Sequence, residues 1–372
     1  MTRVLILTAS YGSGHNEAAR SLAAAFAAER AEVTIVDHFR DLVHPTFERL
    51  SRALYYGTLR RAPTLWGSAY ALGDWMASDS PLALGVTRLG MGRLRRLLRR
   101  LAPDVVVTVH ATPAVVMSCL AWRGTPVPPH TTVVTDFVAH GQWLAPHTDR
   151  YCVAADEVKH EFIARGIPRD RILVTGVPVR AEFDEPADPA TARRTLGLSR
   201  EVPVVLAMAG AQGSFGRLPH VARVLGDARG PLQGLVVAGQ DARLRAALDG
   251  IARGTRVRVL GHVPNVRQLM AAADLLITKA GGMTLAEALA AELPLLLYGS
   301  LPGQERRNER FASRTGIALV ARRYRELTAA LERALGDPEL LDHLRQRMRR
   351  LRRPDASRRV VAAVLERATR PT

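Results

Sequence analysis

A chain of 372 residues with 47% hydrophobic residues exceeds one ordinary core and suits two soluble domains. Its two cysteines, Cys119 and Cys152, exclude a disulfide framework and a cysteine metal cluster, and point to a reducing compartment. The net charge of +17 is almost all arginine, Lys159 and Lys279 being the only lysines, and it favours anionic partners. Arginine in place of lysine beside abundant alanine also has the look of a genome-wide bias. The opening MTRVLILTAS lacks the pattern of a secretory signal, and no apolar run approaches the ~20 residues that span a bilayer. The expectation is a cytoplasmic protein, peripherally associated with the inner face of the plasma membrane.

Val4–Leu7 reads as a buried strand that runs into Ser10, Gly12, Ser13, Gly14 and His15. An Ala-rich helix over Ala18–Phe26 and a strand over Val33–Val36 follow. Strand, Gly-rich turn, helix, strand opens a Rossmann-like domain. The turn is Gly-Ser-Gly-His, neither a dinucleotide fingerprint nor a phosphate loop. His15 at a helix N-terminus is expected to stay neutral. It is either a proton acceptor or partner for a substrate hydroxyl, or a cap of its own turn.

Residues 45–101 concentrate aromatics, among them Phe47, Tyr55, Tyr56, Trp66, Tyr70 and Trp75, interleaved with arginines. An amphipathic helix follows, with Arg88, Arg93, Arg95, Arg96, Arg99 and Arg100 opposite Leu89, Leu94, Leu97, Leu98 and Leu101. Rings and guanidinium groups together suit the surface of an anionic bilayer. The other reading is a helical excursion packed on the core.

Val105–Val109 and Val133–Thr135 are further strands, the second ending in Asp136 with His140 and Trp143 beyond. A carboxylate at a strand end lies in the crevice region of such a sheet, so Asp136 and His15 are expected to face one space. Strands over Tyr151–Ala154 and Ile172–Thr175 and the exit at Gly176–Val179 complete a first domain, 1–183. A Pro-containing linker over 184–191 opens a second, 184–372. The second domain begins in the same way, with strands at Val204–Met208, Leu235–Ala238 and Val257–Leu260 and a small-residue turn over Gly210–Ser214. The Arg-rich tail, Leu344–Arg370, is helical by pattern and is expected to run back across the first domain.

The chain is most informative over 273–308, ADLLITKAGGMTLAEALAAELPLLLYGSLPGQERRN. A buried strand at Leu275–Ile277 breaks at Gly281 and Gly282. Thr284 opens a helix that stops before Pro294, and Leu295–Tyr298 is the next strand. A glycine turn at a helix start offers bare N–H groups at the positive end of the dipole, which suits a phosphate. Thr284 and Glu287 also have capping-box spacing, so Glu287 either closes its own helix or faces a ligand. Capping leaves Gln304, Glu305 and Asn308 unexplained, and consecutive strands bring both loops to one sheet edge. Acid, amide and phosphate-binding turn together are what a nucleotide sugar needs.

These motifs carry a resemblance. The Gly-Ser-Gly-His turn, Val134-Thr135-Asp136 with His140 and Trp143, and Gly176-x-Pro178-Val179-Arg180 resemble monogalactosyldiacylglycerol synthases and bacterial diacylglycerol glucosyltransferases. So do Gly261-x-Val263-x-Asn265, Thr278-Lys279-Ala280-Gly281 and Pro302-Gly303-Gln304-Glu305-x-x-Asn308. The wider family includes the MurG lipid-linked peptidoglycan transferase. The resemblance implies an α/β protein of GT-B fold, two facing Rossmann-like domains with an inter-domain cleft. It implies inverting transfer of glucose or galactose from a UDP-sugar to the 3-hydroxyl of diacylglycerol, without metal or other cofactor. Carried over by residue, Val263 meets uracil and Glu287 the ribose. Gly281, Gly282, Met283 and Thr284 take the diphosphate, and Gln304, Glu305 and Asn308 touch the donor sugar or its phosphate. Gly210 joins the donor side, although its turn, Ala-Gly-Ala-Gln-Gly, has fewer glycines than many relatives. Asp136 or His15 is the base. The acceptor and membrane side is assigned to Gly14, Trp66, Trp75, Trp143, Arg95 and Arg96.

The chemistry suits these residues: a base for the lipid hydroxyl, and a helix N-terminus for the leaving diphosphate. Three rivals stand beside it. A UDP-sugar 2-epimerase shares the architecture and needs no acceptor. A basic nucleic-acid-binding protein fits the charge but lacks any RNP, zinc-finger or helix-turn-helix signature, so nucleic acid is not expected as a partner. A MurG-like transferase for another lipid or a small aglycone is the third.

Overall fold

A computed structural model describes residues 1–61, 89–208 and 217–368. The chain divides into two compact units: Met1–Ala181 with Pro302–Gln304 and Arg353–Thr372, and Glu182–Leu301 with Glu305–Arg352.

In the first unit, β1 (Arg3–Thr8), β2 (Glu32–Asp37), β3 (Val105–Thr108), β4 (His130–Val133), β5 (Arg150–Val153) and β6 (Ile172–Val174) form one parallel sheet in the order β2-β1-β3-β4-β5-β6. Helices α1 (Ser13–Ala28), α2 (Pro45–Arg61), α3 (Met91–Leu101), α4 (Ala111–Trp122) and α5 (Asp156–Ala164) accompany it. A strand covered on both faces needs apolar residues on both, which is why β3 is an unbroken Val-Val-Val-Thr with every residue buried. The core joins Leu5, Leu7 and Val106 of the sheet to Leu94 and Leu98 of α3 and Val116 of α4. The apolar stripe of α3 is thereby spent on the core, and its arginines are left on the other face.

The second unit repeats the plan. After α6 (Pro189–Thr195), strands β7 (Val204–Met208), β8 (Gln233–Val237), β9 (Val257–Leu260), β10 (Leu275–Thr278), β11 (Leu295–Tyr298) and β12 (Ala318–Ala321) lie parallel in the order β12-β11-β10-β7-β8-β9. Their helices are α7 (Leu218–Gly226), α8 (Ala242–Ala252), α9 (Val266–Ala272), α10 (Gly282–Ala291), α11 (Gln304–Arg314), α12 (Tyr324–Gly336) and α13 (Pro338–Leu351). Val205, Val236, Ile277 and Leu296 meet Leu218, Leu225 and Leu331 in its core. In both sheets the chain leaves the first strand to one side and returns on the other. The reversal falls between β1 and β3, and between β7 and β10. Such a switch point opens a crevice at the carboxyl ends of the strands, where ligands bind in this class of fold.

Three local expectations are corrected. The tail is two helices, α13 and α14 (Ala356–Ala368), because Pro354 cannot continue a helix and Asp355 takes the left-handed conformation at φ +55°. The 184–191 segment is partly helical, with Asp188 capping α6 through Ala190 N and Thr191 N. Strand β4 ends at Val133, so Thr135 and Asp136 lie past the sheet rather than at its last residue. Helix α14 belongs to the first unit and packs on α1. Ser357 Oγ donates to Val179 O at 3.1 Å, and Arg353 reaches Asp156 at 2.8 Å.

Gly176 makes this closure possible. It sits at φ +86°, and a Cβ there would stand 2.7 Å from Arg353 Cβ. Gly176→Ala therefore adds a strained backbone to a steric overlap and is expected to cost about 2–4 kcal/mol, read as a fall in the urea midpoint.

Two buried imidazoles set an acid limit on the first unit. Burial pushes His38 and His130 down to about 4 from 6.5. The folded state refuses a proton that the unfolded chain accepts, so stability is full above pH 6.5 and drains as pH falls toward 4. The loss is up to about 3 kcal/mol per ring. In an NMR titration, their Cε1–H resonances should stay unmoved from pH 8 to pH 5.5. Titration near 6.5 would mean that both rings are charged in the fold.

Candidate active site

His15 is the third residue of α1, whose N-cap is the extended Gly12, φ −172°, with no side-chain cap. Its Nδ1 lies 2.9 Å from the Val109 carbonyl and 2.9 Å from Thr135 Oγ1. A carbonyl only accepts, so Nδ1 carries the ring hydrogen and Nε2 keeps the lone pair. That Nε2 makes no hydrogen bond among the described residues, and the ring is half-buried. Desolvation lowers the pKa of His15 below 6.5, opposed by the charge of Asp136 and by the Val109 carbonyl. The imidazole is neutral and its free nitrogen is basic.

Asp136 is 0% exposed. The indole N–H of Trp143 donates to its Oδ2 at 3.3 Å, and His140 Nε2 stands 4.0 Å from the same oxygen. Trp143 is itself 1% exposed, so the expectation of an acceptor or membrane contact at Trp143 is corrected: it is a core residue that holds the carboxylate. Gly14 is the second residue of α1 and half-buried. A residue that the sequence motifs do not include completes the group. His110 stands two residues past the end of β3, and its ring meets that of His15 edge to face at 4.7 Å between centroids. Its Nδ1 accepts from Thr112 N at 3.1 Å and caps α4. The signal was present in the sequence: like Asp136, His110 is a polar residue just past a buried strand run.

In the second unit, α10 begins at the switch point. Gly281 is its N-cap, with no side-chain cap, so the amides of Gly282, Met283 and Thr284 are first-turn donors without a helical acceptor. Thr284 is thus the third helical residue and not the cap, which removes the capping-box reading of Thr284 and Glu287. Glu287 lies half-buried, a turn further along the helix. The glycine turn is tied to the β11–α11 loop. Ala280 N donates to Ser300 Oγ at 3.3 Å, and Asn308 Nδ2 to Ala280 O at 3.2 Å. The Lys279 ammonium donates to Glu305 Oε1, while Glu305 Oε2 accepts from Leu301 N at 2.8 Å. Both oxygens of Glu305 are thereby engaged by protein, and Asn308, 0% exposed, reaches no open surface. Gln304 starts α11 half-buried, and Val263 lies half-buried in the loop after β9. The motif spacing does not pair Lys279 with Glu305, although both residues stand in the sequence motifs.

Arg95 and Arg96 are exposed on α3, and with Arg99 and Arg100 they make no hydrogen bond or ion pair among the described residues. Beside them is a cleft of about 550 Å³ lined by Arg95, Arg99, Leu98 and Pro126 to Pro128. Trp66, Trp75 and Gly210 lie outside the described residues. Among those described, no group of three or more His, Cys, Asp or Glu is placed to hold a metal ion, and no helix is long and apolar enough to cross a membrane.

Two parallel six-stranded sheets with their helices, each with a switch point, define the GT-B architecture. Solved structures share it. Acinetobacter baumannii MurG has a TM-score of 0.68 at 16% identity, covering 98% of this chain and 100% of that one. S. aureus MnaA, solved with UDP, has a TM-score of 0.65 at 14% identity, covering 100% and 99%. At such identities the likeness is one of fold alone. The sequence goes further. Residues 15–179 match the monogalactosyldiacylglycerol (MGDG) synthase model, and residues 218–351 the model for glycosyl transferases group 1. A processive diacylglycerol beta-glucosyltransferase of Bacillus thuringiensis is 31% identical over 366 residues, covering 98% of this chain and 93% of its own. One from Bacillus anthracis is 31% identical over 365 residues, with the same coverage. The chain belongs to the family of monogalactosyldiacylglycerol synthases and processive diacylglycerol glucosyltransferases, glycosyltransferases that form glycolipids.

Asn308→Ala leaves the Ala280 carbonyl without its buried donor and loosens the turn before α10. The expected cost is about 1–3 kcal/mol of stability, read by urea denaturation.

Proposed function

We propose that the protein transfers glucose, with inversion and without a metal ion, from UDP-glucose to the 3-hydroxyl of diacylglycerol at an anionic membrane surface. The observation that carries this reading is the 31% identity to diacylglycerol glucosyltransferases across 98% of the chain. The donor is held by the second unit and the acceptor by the first. The His15 Nε2 lone pair takes the proton of the lipid hydroxyl as its oxygen bonds to the anomeric carbon. The bond from that carbon to the diphosphate oxygen breaks, and UDP leaves with the electron pair. Buried Asp136 stabilises the imidazolium that forms, and Trp143 keeps its carboxylate in place. The Gly282, Met283 and Thr284 amides and the helix dipole receive the charge on the leaving diphosphate, the work a cation would otherwise do. Glu305 acts by holding Lys279 near that turn.

The guanidinium groups of α3 that have no partner among the described residues, Arg95 and Arg96 among them, support docking on anionic lipid, each worth about 1 kcal/mol near such a surface. On this reading the protein is peripheral on the inner face of the plasma membrane.

The test is a transfer assay with UDP-glucose or UDP-galactose and diacylglycerol vesicles, with and without anionic lipid, in EDTA. Labelled glycolipid from UDP-glucose is expected, more with anionic lipid. Turnover that vanishes in EDTA and returns with Mg²⁺ would refute the metal-free mechanism. His15→Ala should lower kcat about 10²–10⁴-fold with UDP affinity unchanged. In wild type, kcat/KM should fall on the acid side only below pH 6.5, since His15 must be neutral. Asp136→Asn removes the charge that raises the His15 pKa, so that limb should move to lower pH while turnover drops. A limb that stays in place would assign it to another group.

A further inference from the structure

We propose that His110 is a substrate-positioning residue whose Nε2–H donates a hydrogen bond to an ester carbonyl of the acceptor lipid, beside the hydroxyl that His15 deprotonates. The inference rests on the acceptor reading above.

The direction of that bond follows from covalent structure. His110 Nδ1 accepts the Thr112 amide at 3.1 Å, so in the neutral ring the hydrogen is on Nε2. Desolvation, with the neighbouring His15, His38 and His140, holds the His110 pKa well below 6.5, so the ring is neutral at working pH. His110 is therefore a donor and nothing else toward a ligand. The donor is unspent: Nε2 makes no hydrogen bond among the described residues, and the side chain is half-buried. The position is also fixed. β3 lies next to β1 across the switch point, the Val109 carbonyl holds His15 Nδ1 at 2.9 Å, and His110 is the next residue. One peptide unit thus sets the base and the donor side by side, rings 4.7 Å apart.

The two histidines are chemically opposite. His15 offers a lone pair, which takes a hydroxyl hydrogen. His110 offers an N–H, which takes an oxygen with no hydrogen to give. Diacylglycerol presents that pair within a few bonds: a free hydroxyl, and ester carbonyl oxygens that only accept. An ether lipid keeps the hydroxyl and loses the carbonyls. The pair of rings can therefore distinguish ester from ether lipid.

Two isosteric variants separate this role from helix capping. In His110→Asn, Oδ1 replaces Nδ1 and keeps the cap, asparagine being a good N-cap, but nothing reaches the Nε2 position. In His110→Gln, the amide nitrogen reaches that position and the cap is lost. Each protein is assayed with UDP-glucose on 1,2-diacylglycerol and on 1,2-dialkylglycerol in the same vesicles, and its Tm is measured. Wild type should favour the ester about tenfold in kcat/KM, as a buried donor left without its acceptor would require. His110→Asn should bring that ratio to about 1, through loss on the ester alone, with Tm near wild type. His110→Gln should lower Tm yet keep the ester preference. Active wild type with no ester preference overturns the proposal, as does a preference kept in His110→Asn. Wild type inactive on both lipids, with UDP binding intact, overturns the acceptor reading itself, and this proposal with it.

Discussion

The hydrogen bond from His15 Nδ1 to the Val109 carbonyl is the constraint on which the first site depends. It joins the helix after β1 to the chain leaving β3, the two strands that flank the reversal of the sheet. A backbone carbonyl is an acceptor whose position is set by the sheet itself. It fixes the tautomer of His15 without a charged partner, and so leaves Nε2 as a lone pair in a partly desolvated place. A carboxylate in the same position would have raised the pKa of His15 and kept the ring charged near neutrality. Asp136 sits further off, buried and held by the indole of Trp143, where its charge tempers the desolvation of His15.

In the proposed reaction the second site would meet the complementary need with the opposite polarity. A leaving diphosphate needs positive potential that is already oriented. On the proposed reading, the uncapped amides at the start of α10 would supply it without a mobile side chain, and so without the entropy cost of ordering one. That turn lacks side chains of its own to hold it, because glycines form it. The support comes from the next loop: Ser300 and Asn308 bind the two polar groups of Ala280, and Glu305 binds Lys279 and Leu301. The Gln-Glu-x-x-Asn group that looks like a row of ligands in the sequence is, at Glu305 and Asn308, largely a brace for the phosphate-type turn.

The strands were legible because parallel strands buried on both faces are short unbroken apolar runs, and few other segments of this chain look like that. Val204–Met208, Val257–Leu260 and Leu295–Tyr298 have the same limits in sequence and structure. Sites at strand ends were legible for the same reason, since a Gly-rich or acidic residue after such a run is conspicuous. What stayed hidden was direction. Apolar Val134 extends the apparent strand to Thr135, whereas the sheet releases the chain at Val133. Nothing in the sequence told whether Trp143 faced a bilayer or a carboxylate, because an indole serves both and only packing decides. His110 stayed inconspicuous because a histidine between a valine run and Ala-Thr-Pro reads as a cap, which it is, and capping uses only one of its two nitrogens.

The arginines show how composition and function separate. Much of the positive charge is absorbed by structure: Arg193 pairs with Asp274 at 2.6 Å, Arg349 and Arg352 share Glu292, and Arg353 reaches Asp156. Those arginines would be expected of any arginine-rich chain that must satisfy its acids. Arg95, Arg96, Arg99 and Arg100 differ, because α3 carries no acid and none reaches them from a neighbouring element among the described residues. Like charges at this density repel one another, a cost that a stable helix offsets by burying Met91, Leu94, Leu97 and Leu98 beneath them. A chain under compositional drift alone would have no reason to keep that repulsion concentrated on one short helix. On the proposed reading, an anionic surface brought against α3 would remove it, and the arrangement that costs stability in solution would become binding energy there.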